Sequence, residues 1–435
     1  MKCRLCLLLI CDRHKEAETI DDNDKRLEKS EMTGQCGLIQ WSHTRQTFET
    51  IAQNYFGVLM PLTLEGKQDG KYLTLHLVLK LAPLNEAYRV SGALTVMFAR
   101  EIFVYSELLH KYCILQEKLD PQCHYVMPKC YFVCKEYCKE VIAMQNMCAD
   151  GYSPFTKHRF LDLDHVTIAL KSLAKLHSLS FILKENDQKM YEAAKNVCIP
   201  LTHSSNSRYF DILIDRLTKA LHKFKNTTYV SLLEILKANC TYFIESAIYR
   251  VRNICICHGD IWKENILFKY KSHYLFQDNV PISACIIDYQ TARICSPAYD
   301  VLYLIVSSVD ASLRQKFFRN LIDTYYDTFR QHLLNSNLDP KHFYSKDDLD
   351  HDLSVVGPAC LITANTAIWL SSGLQEEGHV KSKYQPLTDE EKTKAVDEYK
   401  TIIKGIIDDL NSYGYLRVNE LKRAVIDIIN YSIVF

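Results

Sequence analysis

The sequence has no excess of charge of either sign: Lys+Arg and Asp+Glu are equal at 52 each. No overall field steers the chain toward a polyanion. This argues against nucleic acid as a partner, while a local basic patch stays open. The sequence also lacks an unbroken apolar run of the ~18 residues a membrane span needs, so no span is expected. The opening MKCRLCLLLICDRHK mimics a signal peptide only weakly. Its apolar stretch is Cys6 to Cys11, Asp12 and Arg13 follow at once, and no small-residue cleavage site appears, so a cytoplasmic protein is expected. Internal repeats and low-complexity segments are missing as well. Cysteine is plentiful at 17, but the odd count and irregular spacing do not suggest a secreted disulfide framework. Several cysteines sit in apolar runs such as NICICHGD and ISACIID, where the thiol acts as a small hydrophobe and a reducing, intracellular compartment is implied. Cys3 and Cys6 form a lone CxxC, and Cys130, Cys134 and Cys138 have no His in ligand spacing, which argues against zinc.

What is present is ordinary globular material: 48% apolar and 24% charged over 435 residues, enough for two or three domains' worth of core. Residues 1–35 are highly charged without a steady period and are expected to form a flexible tail. From about 36 to 145 the pattern is strand-rich. TIAQNYFGVLMPLTL and KYLTLHLVLKLAP read as strands, the second alternating Leu73, Leu75, Leu77 and Leu79, with EGKQDGK as the turn. The helical segment ALTVMFAREIFVYSELLHKY follows, then one or two more strands in HYVMPKCYFVCKEYCKEVIAM. This makes a small α+β lobe. Residues 146–416 read as mostly helical, with a strand-rich island in NICICHGD, ILFKY, HYLFQ and ISACIIDYQ. In LDHVTIALKSLAKLHSLSF the apolar stripe is helical, with Asp162 or Asp164 as its cap. Residues 417–435 are a C-terminal extension.

Five polar positions within this pattern suit phosphoryl transfer. That reaction needs a positioned nucleophile, a divalent cation on the phosphates and a cationic phosphate contact. Lys80 lies on the strand LHLVLKLAP, and Glu101 on the next helix could pair with it. Asp260 and Asn265 in HGDIWKENILF keep the Asp-to-Asn offset of the kinase catalytic loop, and Asp288 follows the apolar run ACII. Asn and Asp are hard oxygen ligands suited to Mg²⁺. Each residue has a bland reading too: an edge lysine, a surface glutamate, a capped turn. Asp288 buried without a partner would be costly, a cost a metal relieves. His258 is expected to orient the loop, Trp262 and Phe268 to anchor the core, and His177 to hydrogen-bond nearby backbone.

HGDIWKENILF and IIDYQTARICSPAYDVLYLI resemble the ecdysteroid-kinase-like (CHK kinase-like) family, related to choline kinases and aminoglycoside phosphotransferases. LVLKLAP, FAREIFVY, MPKCYF and LAKLHSLS match further landmarks in the same order, and the resemblance spans roughly 45–416. It implies a two-lobed protein-kinase-like α+β fold, with a small antiparallel-sheet N-lobe and a larger, mostly helical C-lobe. It also implies ATP and Mg²⁺ as cofactors and a small-molecule hydroxyl as acceptor, steroid-like or xenobiotic. By the resemblance, Asp260 is the base, Asn265 and Asp288 hold Mg²⁺, and Lys80, steadied by Glu101, contacts phosphate. Asn54 and Gly57 of the glycine loop and Met144 and Met147 of the hinge fall on the nucleotide, and Asp300 braces the catalytic loop. Three features depart from the family pattern. AQNYFG begins with Ala52 where glycine is usual, the hinge AMQNMCADGY lacks its acidic signature, and Tyr289 replaces Phe. A non-catalytic nucleotide- or lipid-binding protein on the same scaffold is the alternative, and a choline or aminoglycoside kinase stays open. A protein kinase is disfavoured, because no A-P-E segment follows Asp288.

Overall fold

A computed structural model of the chain describes residues 39–45, 57–83, 86, 89, 94–271, 280–374 and 387–416. The N-terminal tail, Asn54, the strand reading of HYLFQ and the C-terminal extension lie outside the described residues. The architecture is α+β, in two compact units.

The first unit comprises residues up to Ile114, Val126–Ser153 and Ile287–Thr291. Strands β1 (Ile39–Arg45), β2 (Val58–Gln68) and β3 (Lys71–Leu81) open it. Helices α1 (Leu94–Phe103) and α2 (Leu109–Gln116) are joined by one π-helical stretch, Val104–Leu108. Strands β4 (Cys130–Cys134), β5 (Val141–Gln145) and the short β6 (Tyr152–Pro154) follow. β1 to β5 form one antiparallel sheet in the order β1-β2-β3-β5-β4. The β2–β3 turn is tighter than EGKQDGK suggests, because Gln68 already pairs with Lys71 and only Asp69 and Gly70 turn. Both have positive φ, 51° and 77°, the backbone that matches the twist of a two-residue hairpin. The alternation of β3 sorts its side chains by face. Leu77 and Leu79 join Leu62, Leu64 and Val141 in the sheet's core, with Leu73 and Leu75 against it. Thr74, His76, Val78 and Lys80 therefore fall on the other face.

The second unit comprises Leu115–Tyr125, Pro154–Ile286 and residues from Ala292 onward. Its first helix, α3 (Leu163–Asn186), is capped by Asp162, whose carboxylate accepts from the His165 amide. Four helices follow: α4 (Gln188–Val197), α5 (Ser207–Lys223), α6 (Val230–Ala238) and α7 (Cys240–Tyr249). The strand-rich island holds β7 (Cys255–Cys257), β8 (Ile266–Tyr270), β9 (Pro281–Ile286) and β10 (Arg293–Cys295). β8 pairs with β9, and β10, a strand the sequence patterns did not single out, pairs antiparallel with β7. The rest is helical: α8 (Pro297–Ser308), α9 (Ala311–Asn335), α10 (Pro340–Phe343), α11 (Lys346–Ser371) and α12 (Asp389–Ser412). α9 packs on α3, and α11 on α7 and α8.

Although no unbroken apolar run exists, Leu163–Asn186 and Pro340–Ser371 are long and apolar enough on average to cross a membrane. In each, 78% of the apolar window is buried inside the protein, so that apolarity makes core.

Candidate active site

The first unit assembles a buried ionic cluster. Lys80 is 2% exposed, on the face of β3 opposite the leucines. Its Nζ lies 2.8 and 2.6 Å from Glu101 Oε1 and Oε2, and 2.9 Å from Asp288 Oδ1. Burial lowers the affinity of Lys80 for its proton, but Asp288 and Glu101 outweigh it, and the ammonium is held above its usual range. Burial pushes the Glu101 carboxyl up, against the pull of Lys80. The cluster thus sets one ammonium between two carboxyl groups. The Asp288 carboxylate is a hard oxygen donor beside a single ammonium, and a donor of this kind fits Mg²⁺.

Asp288 has φ 69°, a left-handed conformation unusual for a residue with a side chain. Its backbone amide donates to the Tyr105 hydroxyl at 3.3 Å. Tyr105 sits in the π-helical stretch, and its ring meets Tyr289 edge-on at 5.5 Å between centroids. The Tyr289 amide donates to the Glu101 carboxylate. Tyr105 is thus a site residue missed from sequence. Its signal is weak there, because an aromatic at helical spacing reads as core.

The nucleotide-contact expectations fare differently. Gly57 packs against β3: a Cβ there would lie 3.1 Å from the Leu81 carbonyl oxygen and 3.6 Å from Lys80 Cγ. Close approach over the lysine strand therefore explains this glycine. In the hinge, Met144 belongs to β5 and Met147 is buried. The Gln145 and Asn146 amides are already bonded to Lys129 and His76 carbonyls, and the Met147 carbonyl accepts from Asp150 and Tyr152.

The second unit builds the loop of Asp260 and Asn265 around Asp300. Gly259 has φ 85°, which a side chain would strain. The His258 and Gly259 amides both donate to the Asp300 carboxylate, at 2.7 and 3.0 Å. His177 from α3 reaches it at 3.2 Å and holds its other nitrogen 2.8 Å from the Tyr325 hydroxyl. The expectation that His177 binds nearby backbone is corrected: its partners are two distant side chains that only folding brings close. Burial would raise the Asp300 carboxyl, yet His177 holds it below the usual carboxylate range.

Three residues along α8 from Asp300, Tyr303 faces the same loop and donates to Asp260 Oδ1 at 3.1 Å. Burial and the Asp260 charge push this phenol well above its usual range, so it stays a donor. Asn265 Nδ2 donates to the Asp260 carbonyl at 2.9 Å, which turns its amide oxygen away from that carbonyl. His258 orients the loop as expected, its Nδ1 accepting from the Asp260 amide at 3.3 Å. Phe268 is fully buried, whereas Trp262 is only half-buried and so not a core anchor.

One further cluster has metal-ligand chemistry. The donor atoms of His177, Cys255 and Cys257 lie within 4.8 Å of one another. Both His177 nitrogens are already engaged, and burial pushes both thiols up, so hydrogen bonding explains the cluster without an ion.

A profile for the ecdysteroid kinase-like family matches residues 52–338. No curated protein sequence matches the chain. Among solved structures, a GDP complex of an aminoglycoside 2'-phosphotransferase-IIIa point mutant is similar at 14% identity and TM-score 0.40, over 84% of this chain and 93% of its own. Glucosamine kinase in complex with glucosamine, ADP and inorganic phosphate is similar at 12% identity and TM-score 0.32, over 82% and 84%. The family match takes in Lys80, Glu101, Asp260, Asn265 and Asp288 and assigns the coarse activity, phosphoryl transfer to a small molecule. On that match, the chain belongs to the ecdysteroid kinase-like family.

Proposed function

We propose that the protein transfers the γ-phosphate of ATP to a hydroxyl of a steroid-like or xenobiotic acceptor. The observation that carries this reading is the buried Lys80, held by Glu101 and Asp288. Outside a phosphate-handling site, a sealed lysine between two carboxylates has little stabilising value over an apolar packing. In this reading Lys80 contacts the nucleotide phosphates. Asn265 and Asp288 offer oxygens to Mg²⁺, which supplies charge neutralisation on the phosphates when bound. Asp260 orients the acceptor hydroxyl and takes its proton as the oxygen bonds to the γ-phosphorus and the bond to ADP breaks. Tyr303 fixes the rotamer of Asp260, and Asp300 fixes the loop that carries it. A cytoplasmic location suits a reaction that consumes ATP, and the free thiols accord with it.

The competing reading is a nucleotide-binding protein without turnover. Gly57 packed on β3, with no glycine at Ala52, favours it.

The test is ATP consumption by the purified protein with Mg²⁺ against hydroxysteroids, glycosides and choline. Asp260→Asn is expected to lose at least about a hundredfold in kcat, the low end of general-base contributions, with ATP binding retained. Asp288→Ala is expected to abolish turnover. Full activity in Asp260→Asn would refute its role as base. ATP binding without turnover on every acceptor would favour the non-catalytic reading.

A further inference from the structure

Buried arginines in this protein usually have carboxylate partners. Arg314, 1% exposed, has Asp409 at 2.7 Å from its Nε. Arg293 is the exception. It is 7% exposed, on β10 directly opposite Cys257, the last residue of β7 before the His258–Asp260 loop. Its guanidinium lies over the Tyr299 ring at 4.9 Å. Among the described residues the guanidinium makes no side-chain hydrogen bond and no ion pair at contact distance, although the buried Asp300 carboxylate acts on it through space. A guanidinium withdrawn from water has strong reason to be paired, and the planar fork of five donors matches a carboxylate, sulfate or phosphate.

The surroundings of Arg293 link it to Asp260. Tyr299, under the guanidinium, stacks on Tyr303 at 5.9 Å between centroids, and Tyr303 donates to Asp260 Oδ1. Half-buried Tyr209, on α5, senses both charges: burial and Asp260 push its phenol up while Arg293 pulls it down. Asp260 and Arg293 are thus two ends of one locus, joined by the Tyr299–Tyr303 stack. Tyrosine faces suit a flat, weakly polar body.

We propose that this locus is the acceptor site, and that Arg293 selects an acceptor carrying an anionic oxygen group in addition to the hydroxyl that meets Asp260. The inference rests on the kinase reading for the identity of Asp260, but not for the binding of the anion. It disfavours cationic acceptors such as choline and aminoglycosides wherever their charge would fall beside Arg293, because like charges repel.

A matched pair of ligands tests it: a hydroxysteroid with a side-chain carboxylate and its methyl ester. Equilibrium binding of each would be measured to the wild-type protein, Arg293→Gln and Arg293→Lys, with thermal unfolding as the check on folding. The expected result is at least tenfold tighter binding of the acid by wild type. The preference should vanish in Arg293→Gln and return in part in Arg293→Lys, with ester binding unmoved. No preference in wild type, or a preference untouched in Arg293→Gln, would overturn the proposal. So would an equal loss of kcat on both ligands with unchanged affinity, since Arg293 would then serve the transferred phosphate. The kinase reading fails separately: an acid preference that depends on Arg293, with no ATP consumption on any acceptor, would leave an anion-selective ligand site and remove the phosphotransfer.

Discussion

Tyr303 has the sharpest individual consequence. Its hydroxyl donates to Asp260 Oδ1 from a buried position, so its removal leaves the carboxylate in place but less constrained. Tyr303→Phe is expected to lower kcat roughly fivefold, the worth of one hydrogen bond of about 1 kcal/mol, with stability nearly unchanged. A steady-state comparison with the best acceptor would decide it, and an effect confined to KM would assign Tyr303 to acceptor binding instead. Asp300 differs because it is fully buried and accepts from two backbone amides and His177. Asp300→Ala would strand all three donors and is expected to cost about 3–5 kcal/mol, as breaking buried charged networks does. Urea unfolding would measure this, and a loss below 1 kcal/mol would mean that water replaces the carboxylate.

The packing of α9 on α3 contains a pH-dependent contact. His332 is 2% exposed; its Nδ1 lies 2.7 Å from the Ser178 hydroxyl, and its Nε2 donates to the Cys123 carbonyl at 3.1 Å. Burial, and then Lys175, lower its pKa from 6.5 to about 4. The unfolded chain takes up the proton first. The stabilisation from neutral His332 is therefore complete above pH 6.5 and lost as pH falls toward 4. The fall is on the order of 3 kcal/mol at about 1.4 kcal/mol per pKa unit. Chemical denaturation from pH 7 to 4 should show this slope, and His332→Gln should flatten it. An unchanged slope in the variant would assign the acid sensitivity to other groups, such as the carboxylates around Lys80.

Across the protein, the thiols differ in their access to water. Among the described cysteines, all free, Cys113 and Cys148 are exposed, Cys123, Cys130 and Cys138 are half-buried, and Cys134, Cys198, Cys240, Cys255, Cys257, Cys285, Cys295 and Cys360 are buried. Burial pushes Cys257, Cys295 and Cys360 well up, away from the reactive thiolate. Brief alkylation of the native protein, read by peptide mass spectrometry, should therefore label Cys113 and Cys148 and spare the buried set until denaturant is added. Early labelling of Cys257 would show that the strand leading into the His258–Asp260 loop opens locally.

Local chemistry made much of this protein legible in its sequence. The leucine alternation of β3 marks a half-buried strand, and the same alternation assigns Lys80 to the opposite face. Gly259 and the Asp-to-Asn offset mark the loop, because a left-handed turn and a fixed spacing are properties of adjacent residues. Folding alone joined the distant parts. Glu101 and Asp288 meet Lys80 across 21 and 208 positions, and His177 meets Asp300 across 123. Tyr105, Tyr303 and Arg293 were not singled out by any sequence pattern, and only their surroundings in the fold gave them roles. Periodicity and spacing are short-range and survive in a linear string, whereas burial and the pairing of charges depend on which segments pack together.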